Sequence, residues 1–185
     1  MSRTRAFDVD RARTLAMRVF WRQGYAATSV GDLVEATGVA RSGLYGVFES
    51  KWGLFLASLV DYRERVVGGL TAPLRDGRGA ATERFLRQCI TGADAEALSC
   101  LLINALIEFG DDEADVREVT DAYLTRIESG LRRTLSAEGH DAKAAREIAA
   151  VLTCLVVGAF VLRRSARGRR ISGPAIRAAL KLLGA

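Results

Sequence analysis

Histidine and proline are nearly missing from this 185-residue chain, which has one of the first and two of the second. A lone histidine and three scattered cysteines, Cys89, Cys100 and Cys154, offer no donor set with the spacing of a structural zinc site. No CxxC pair exists and the cysteine count is odd, so a disulfide framework is not expected, and the pattern fits a reducing cytoplasm. Strand-like alternation, internal repeats and low-complexity tracts are also missing. So are HExxH, GxSxG, a Walker loop and a GxGxxG opening a helix after a strand, which leaves no enzyme signature and no expected cofactor or metal. The N-terminus lacks an apolar signal core. The longest apolar run, Ile148 to Leu162, is about 15 residues and falls short of the roughly 18–20 that span a bilayer. A cytoplasmic protein without a membrane partner is expected.

What is present favours helix. Ala, Leu, Arg and Glu dominate, and with so little proline few helices are forced to break. Apolar residues make up 49% and charged residues 26%, as in a globular chain. The net charge of +5 is uneven: Met1–Lys51 carries +3, Trp52–Ala159 carries −5, and Phe160–Ala185 carries +7 with no acidic residue at all. An acidic middle between basic ends is a partial nucleic-acid footprint. The alternative for the C-terminal run is a high-GC coding bias toward arginine, the lesser of the two readings.

The densest information lies in Thr28–Lys51, TSVGDLVEATGVARSGLYGVFESK. Val30, Leu33 and Val34 share one face of a short helix that Thr28 or Ser29 can cap and Gly38 can end with φ > 0. After a turn over Gly38–Arg41, a second short helix turns Leu44 and Phe48 inward. Its outward face carries Arg41, Ser42, Gly43, Tyr45, Gly46 and Val47, small, polar and basic groups that suit a DNA major groove. Two such helices joined by a tight turn form a helix-turn-helix pattern. Lys51 then stands at the start of the next helix, just after a Ser50 cap. A cation there opposes the helix dipole by about 0.3–1 kcal/mol, and a phosphate in front of that helix would answer both the charge and the free N–H groups.

Gly24-Tyr25, Thr28-Ser29-Val30, Gly38-Val39, Leu44-Tyr45, Phe48, Ser50-Lys51 and Leu54 resemble, in order and spacing, the N-terminal domain of the TetR family of bacterial transcriptional regulators. The resemblance covers about the first 55 residues closely and the rest only in helix layout. It implies an all-α homodimer with an N-terminal three-helix DNA-binding domain over 1–51 and a C-terminal effector-binding and dimerisation domain over 52–185, about nine helices in all. It implies repression at a near-palindromic double-stranded DNA operator until a small molecule of unknown identity binds. Carried over position by position, Thr28 caps its helix and touches phosphate. Arg41, Ser42 and Gly43 lie near base edges and backbone, and Tyr45 and Lys51 contribute a phenol and an ammonium to phosphates. Gly46 and Val47 depart from the family's aromatic or histidine residues, so Val47 either meets a thymine methyl or makes no base contact.

Along the remaining chain, an Asp8-capped helix carries the stripe Val9, Ala12, Ala16, Val19 and Phe20 up to Gly24. Ahead of it, residues 1–6 form a basic arm, either a free tail or a segment that meets phosphate or the minor groove. A longer helix from Lys51 to about Leu70 is the connecting helix of the family. Helices are expected over Thr82–Ile90, Ala95–Phe109, from Asp111 to about Glu138, and over Asp141–Arg164. An arginine-rich loop, Arg163–Arg170, then precedes a last short helix opened by Pro174 in its first turn. The apolar surface of the Asp141–Arg164 helix calls for burial on two sides, one of them against a second subunit.

Two sensors can be read. Trp52, Phe55, Phe85, Leu101, Asn104, Glu108, Phe109 and Tyr123 are candidates to line an apolar effector pocket, Asn104 and Glu108 supplying polar groups at i and i+4. Alternatively, Cys100, within SCLLINALIEF, resembles the cysteine through which one branch of the family senses oxidants or electrophiles. It is expected beyond the first turn of its helix, where the dipole lowers a thiol pKa little, and its plainer role is a small buried residue. The competing functional readings are a helical small-molecule-binding module without DNA binding and a helical enzyme with an unfamiliar site.

Overall fold

The computed structural model describes residues 7–77, 80–91, 99–110 and 112–183. The basic arm at 1–6, the start of the helix expected from Ala95 and the Asp111 of the acidic helix start lie outside them. Among the described residues the fold is all helical, with no strand.

Helix α1, Val9–Gln23, begins at Asp8, whose carboxylate accepts the Arg11 N–H at 2.9 Å. It buries Ala12, Ala16, Met17 and Phe20 against α2 (Val30–Thr37) and α4 (Lys51–Tyr62). Helix α3, Arg41–Phe48, packs on α4 through Leu44 and Phe48. Each such aliphatic or aromatic side chain withdrawn from water is worth roughly 1.5–3 kcal/mol. A polar link reinforces α1 and α4: Asp61, nearly buried, receives Arg13 at 3.0 Å and Arg65 at 2.9 Å.

The expected connecting helix does run from Lys51 to Leu70, though not as uniform α-helix. After Tyr62 it passes through a π-helical stretch, Arg63–Val67, into a short α5, Gly68–Leu70. Pro73 falls in the first turn of α6, Ala72–Asp76, where its missing N–H costs nothing. These short pieces raise the number of segments above the nine expected.

Helix α9, Ala114–Ala137, buries all six residues of its expected stripe: Val116, Val119, Tyr123, Ile127, Leu131 and Leu135. Helix α10, Ala142–Leu162, lies between α9 and α11, Ala166–Leu182, and α7, Ala81–Thr91, packs on α6, α9 and α11. Two expectations are corrected here. Most of the arginine loop is helical, because Ser165 caps α11 by accepting the Gly168 N–H at 2.9 Å, and Pro174 sits inside α11. And α10, at 21 residues, is long and apolar enough to cross a membrane by length and composition, because the helix continues through Ala142–Glu147 ahead of the apolar run, although Lys143, Arg146 and Glu147 lie there. Within the protomer it buries Ala145, Ala149, Leu152, Val156, Ala159 and Phe160 on one side. On the other it exposes Val151 (66%), Cys154, Val161 and Leu162, beside Ile171 and Leu182 of α11.

Candidate nucleic-acid interface

The reading motif is built by local chemistry. The Ser29 hydroxyl accepts the Asp32 N–H at 3.1 Å while the Asp32 carboxylate accepts the Ser29 N–H at 2.7 Å, a reciprocal capping box that starts α2. These bonds hold the Asp32 carboxyl below the usual range. At the other end Gly38 takes φ 69°, the left-handed turn expected of it. Thr28 is not the cap. It is buried, and its hydroxyl donates back to the Gly24 carbonyl at 2.5 Å, so its side chain is turned from any phosphate.

On α3, Arg41, Ser42, Gly46 and Val47 are exposed, Gly43 and Tyr45 half-buried, and Leu44 and Phe48 buried. Phe7 packs near Gly43, which places the start of the described chain beside the reading helix. The cations rest on rings. The Arg41 guanidinium lies 5.3 Å from the Tyr45 ring centroid, and the Lys51 ammonium 4.1 Å from that of Tyr25. Lys51 also helps to lower the Asp32 pKa, so its charge has two neighbours within the protein that oppose the dipole cost. Burial and the nearby Tyr45, Glu113 and Glu108 push the Tyr25 phenol up. The turn into α4 is tight. The Ser50 hydroxyl accepts the Gly53 N–H at 3.0 Å, and a Cβ on Gly53 would stand 2.1 Å from the Phe48 carbonyl oxygen.

Behind the motif lies a joint to α8, Leu101–Phe109. Phe20, Tyr25, Trp52, Phe55 and Phe109 pack ring against ring with centroids 5.0–6.2 Å apart. The Glu108 carboxylate accepts the N–H groups of Tyr25 at 3.0 Å and Ala26 at 2.7 Å, and Trp21 Nε1 donates to the Ser99 carbonyl. The eight residues expected around one effector pocket are therefore dispersed. Trp52, Phe55, Phe109 and Glu108 form the joint. Phe85, Leu101 and Tyr123 are packed core. Asn104 Oδ1 accepts the Ser99 hydroxyl at 2.6 Å and an Arg164 N–H at 3.0 Å. The cavities at the ends of α10 are lined by other residues. Among the described residues these aromatic rings pack on one another.

Cys100 is also placed differently from expectation. Ser99 and Cys100 are not helical, and Cys100 is the N-cap residue of α8. Its sulfur meets the N–H groups of Ile103 and Leu102 and the hydroxyl of Tyr62, and the Tyr123 hydroxyl faces it without a well-aligned hydrogen bond. Burial outweighs these groups and pushes the thiol up, as it pushes Cys89 to about 12. A helix start alone does not activate a sulfur that water cannot reach.

The sequence model of the bacterial regulatory proteins of the tetR family matches residues 14–58. That of the LmrA/YxaF-like transcriptional regulator C-terminal domain matches residues 79–171, half of the chain. The chain belongs to the TetR family. TetR-family proteins are transcriptional regulators, not enzymes. The chain is 34% identical over 139 residues to the HTH-type transcriptional repressor ComR of Escherichia coli, an alignment covering 72% of this chain and 66% of ComR. A Bacillus subtilis HTH-type regulator, YezE, is 32% identical, and the chain spans 58% of it. Among solved structures, a cysteine mutant of the TetR-family regulator CifR in complex with 26-base-pair operator DNA superposes with a TM-score of 0.77 at 27% identity, over 95% of this chain and 99% of that one.

Several features of this TetR-family site were not foreseen. Ser29-x-x-Asp32 is a capping-box signature that could have assigned the cap. Nothing in the sequence pairs Glu108 with Tyr25 across 83 residues.

Proposed function

We propose that this chain represses transcription as a homodimer on a near-palindromic operator and is released by a small effector. The division into a DNA-binding unit over 1–51 and an effector and dimerisation unit over 52–185 belongs to the same reading, as does a cytoplasmic location. The observation that carries it is the exposed face of α3, where Arg41, Ser42, Gly46 and Val47 lie outward, with Tyr45 half-buried on the same helix and Lys51 at the start of the next. Ser42, Gly46 and Val47 are small enough to fit a groove beside the Arg41 guanidinium, while Leu44 and Phe48 anchor the helix from behind.

The dimer is supported by the apolar stripe of α10, which is exposed among the described residues at Val151, Cys154, Val161 and Leu162, spaced by three, seven and one, and by the exposed Ile171 and Leu182 of α11. Two copies of this helix pair, related by a two-fold axis, would close a four-helix seam and fix the separation of two α3 helices. CifR's complex with operator DNA supports the same reading by analogy.

Fluorescence anisotropy on the DNA upstream of its own gene, at rising salt, tests the reading. Saturable binding that outlasts competition by unrelated duplex is expected. A monomer in sedimentation, or equal affinity for unrelated duplex, refutes it. Effector release is tested in the same assay with apolar small molecules.

A further inference from the structure

At the turn from α10 into α11 lies a cavity of about 460 Å³ that the proposed repressor function does not use. Arg163, Arg169, Arg170 and Arg177 line it together with Ser172 and Ile90, and among the described residues no carboxylate does. Arg163 is 5% exposed. One arm of its guanidinium donates to the Cys89 carbonyl, and its plane lies 4.8 Å from the Phe160 ring centroid. The other arm, Nη1, is buried and has no hydrogen-bond partner among the described residues. Arg169 donates to the Arg163 carbonyl at 3.0 Å, which ties the start of α11 to this wall.

A buried guanidinium without an acceptor for each arm is costly, and three further cations around the same concavity add to the cost. Solvated surface arginines carry no such implication, but Arg163 is not on the surface. The arrangement supplies planar donors that match the oxygens of a carboxylate or a phosphate, and an apolar wall at Ile90 for the body of a ligand.

We propose that this cavity binds a small, multiply charged oxyanion, with Arg163 Nη1 as the inner donor and Arg170 and Arg177 at the mouth. The ligand class is a phosphorylated or polycarboxylate small molecule. A duplex backbone is the less suitable occupant, because Arg163 is almost wholly buried and a phosphate on a rod cannot enter a concavity to approach it. Arg164, the chain neighbour of Arg163, donates to Asn104, one turn before the Glu108 that holds the loop into the reading motif.

The test uses the full chain without DNA, so its outcome is independent of operator binding. Sodium pyrophosphate and sodium citrate are titrated separately by calorimetry and by thermal shift, against sodium chloride at matched ionic strength near 0.15 M. Saturable binding of either anion is expected, pyrophosphate marking a phosphoryl ligand and citrate a carboxylate one. Arg170→Gln and Arg177→Gln should each weaken it at least about tenfold, the scale of one lost charge-assisted hydrogen bond. Arg163→Met should abolish it; if that variant does not fold, the two exposed positions carry the test. Arg132→Gln in the basic groove between α9 and α10 should leave affinity unchanged. No saturable binding of either anion, or equal loss in Arg132→Gln, overturns the proposal. So does a fall in the salt slope of operator binding in the Arg170 and Arg177 variants without anion binding, which would assign the cluster to DNA.

Discussion

The Glu108 carboxylate accepts the Ala26 N–H at 2.7 Å and, through its other oxygen, the Tyr25 N–H. A residue on the last turn of α8 thus holds the loop that leads into the reading motif. The two amides are the donors that a loop leaves unpaired, so the carboxylate supplies what no backbone carbonyl does.

Removing that carboxylate should loosen the joint. Hydrogen bonds to charged groups contribute about 1.5–3 kcal/mol, and solvent reduces this at exposed Glu108, so Glu108→Ala should lower stability by about 1–2 kcal/mol. Urea unfolding gives the number. An unchanged midpoint together with unchanged operator affinity would show that the link does not matter.

At Lys51, an alanine should weaken binding to all duplexes alike and lower the salt slope by about one. Titrations at several salt concentrations read the slope directly, and an unchanged value would leave the ammonium on the Tyr25 ring in the complex too.

Asp32 gives a prediction in acid. Its folded pKa is depressed by the Ser29 bonds, so its contribution is present above the free carboxyl value of about 3.9 and is lost as pH falls through the folded value. Asp32→Asn should flatten that part of the stability profile. Thermal melts between neutral and acid pH would show parallel curves if the capping box were irrelevant.

The buried thiols give one in alkali. Cys89 is raised to about 12 and Cys100 is raised as well, against about 8.5 for a free thiol. Their contribution is complete below that value and declines as pH rises toward the folded one. In the native protein both should react slowly with a thiol reagent and become fast on unfolding. Fast native reaction of Cys100, assigned by mass spectrometry, would revive the thiol-sensor reading.

Val151→Glu places a charge on the exposed α10 stripe. If the dimer reading holds, it should give a folded monomer by sedimentation and lose operator affinity, while circular dichroism stays helical. A variant that stays dimeric would move the interface elsewhere.

The helical periodicity of the sequence located the α1 stripe, the α2–α3 pair and the full α9 stripe, because each is a local pattern that burial preserves. Capping was legible too: Thr28 and Ser29 are both competent cap residues, and the Ser29-x-x-Asp32 spacing separates them, as the packed position of Thr28 then bears out. The pocket assignment is less legible for another reason. Trp52, Phe55 and Phe109 are apolar and facing inward in either arrangement, and their sequence does not record whether space remains between them. The Pro174 position in α11 is similar: proline marks a weak point in a helix, and the tertiary packing of Ile176 and Leu180 carries the helix past it.

The missing side chain at Gly53 has a mechanical result. The backbone of α4 lies against the Phe48 carbonyl, closer than any side chain at position 53 would allow. In the dimer proposed above, a tilt of α4 would be passed to α3 at this contact, and a small displacement at the Tyr62 end would become a change in the distance between the two reading heads.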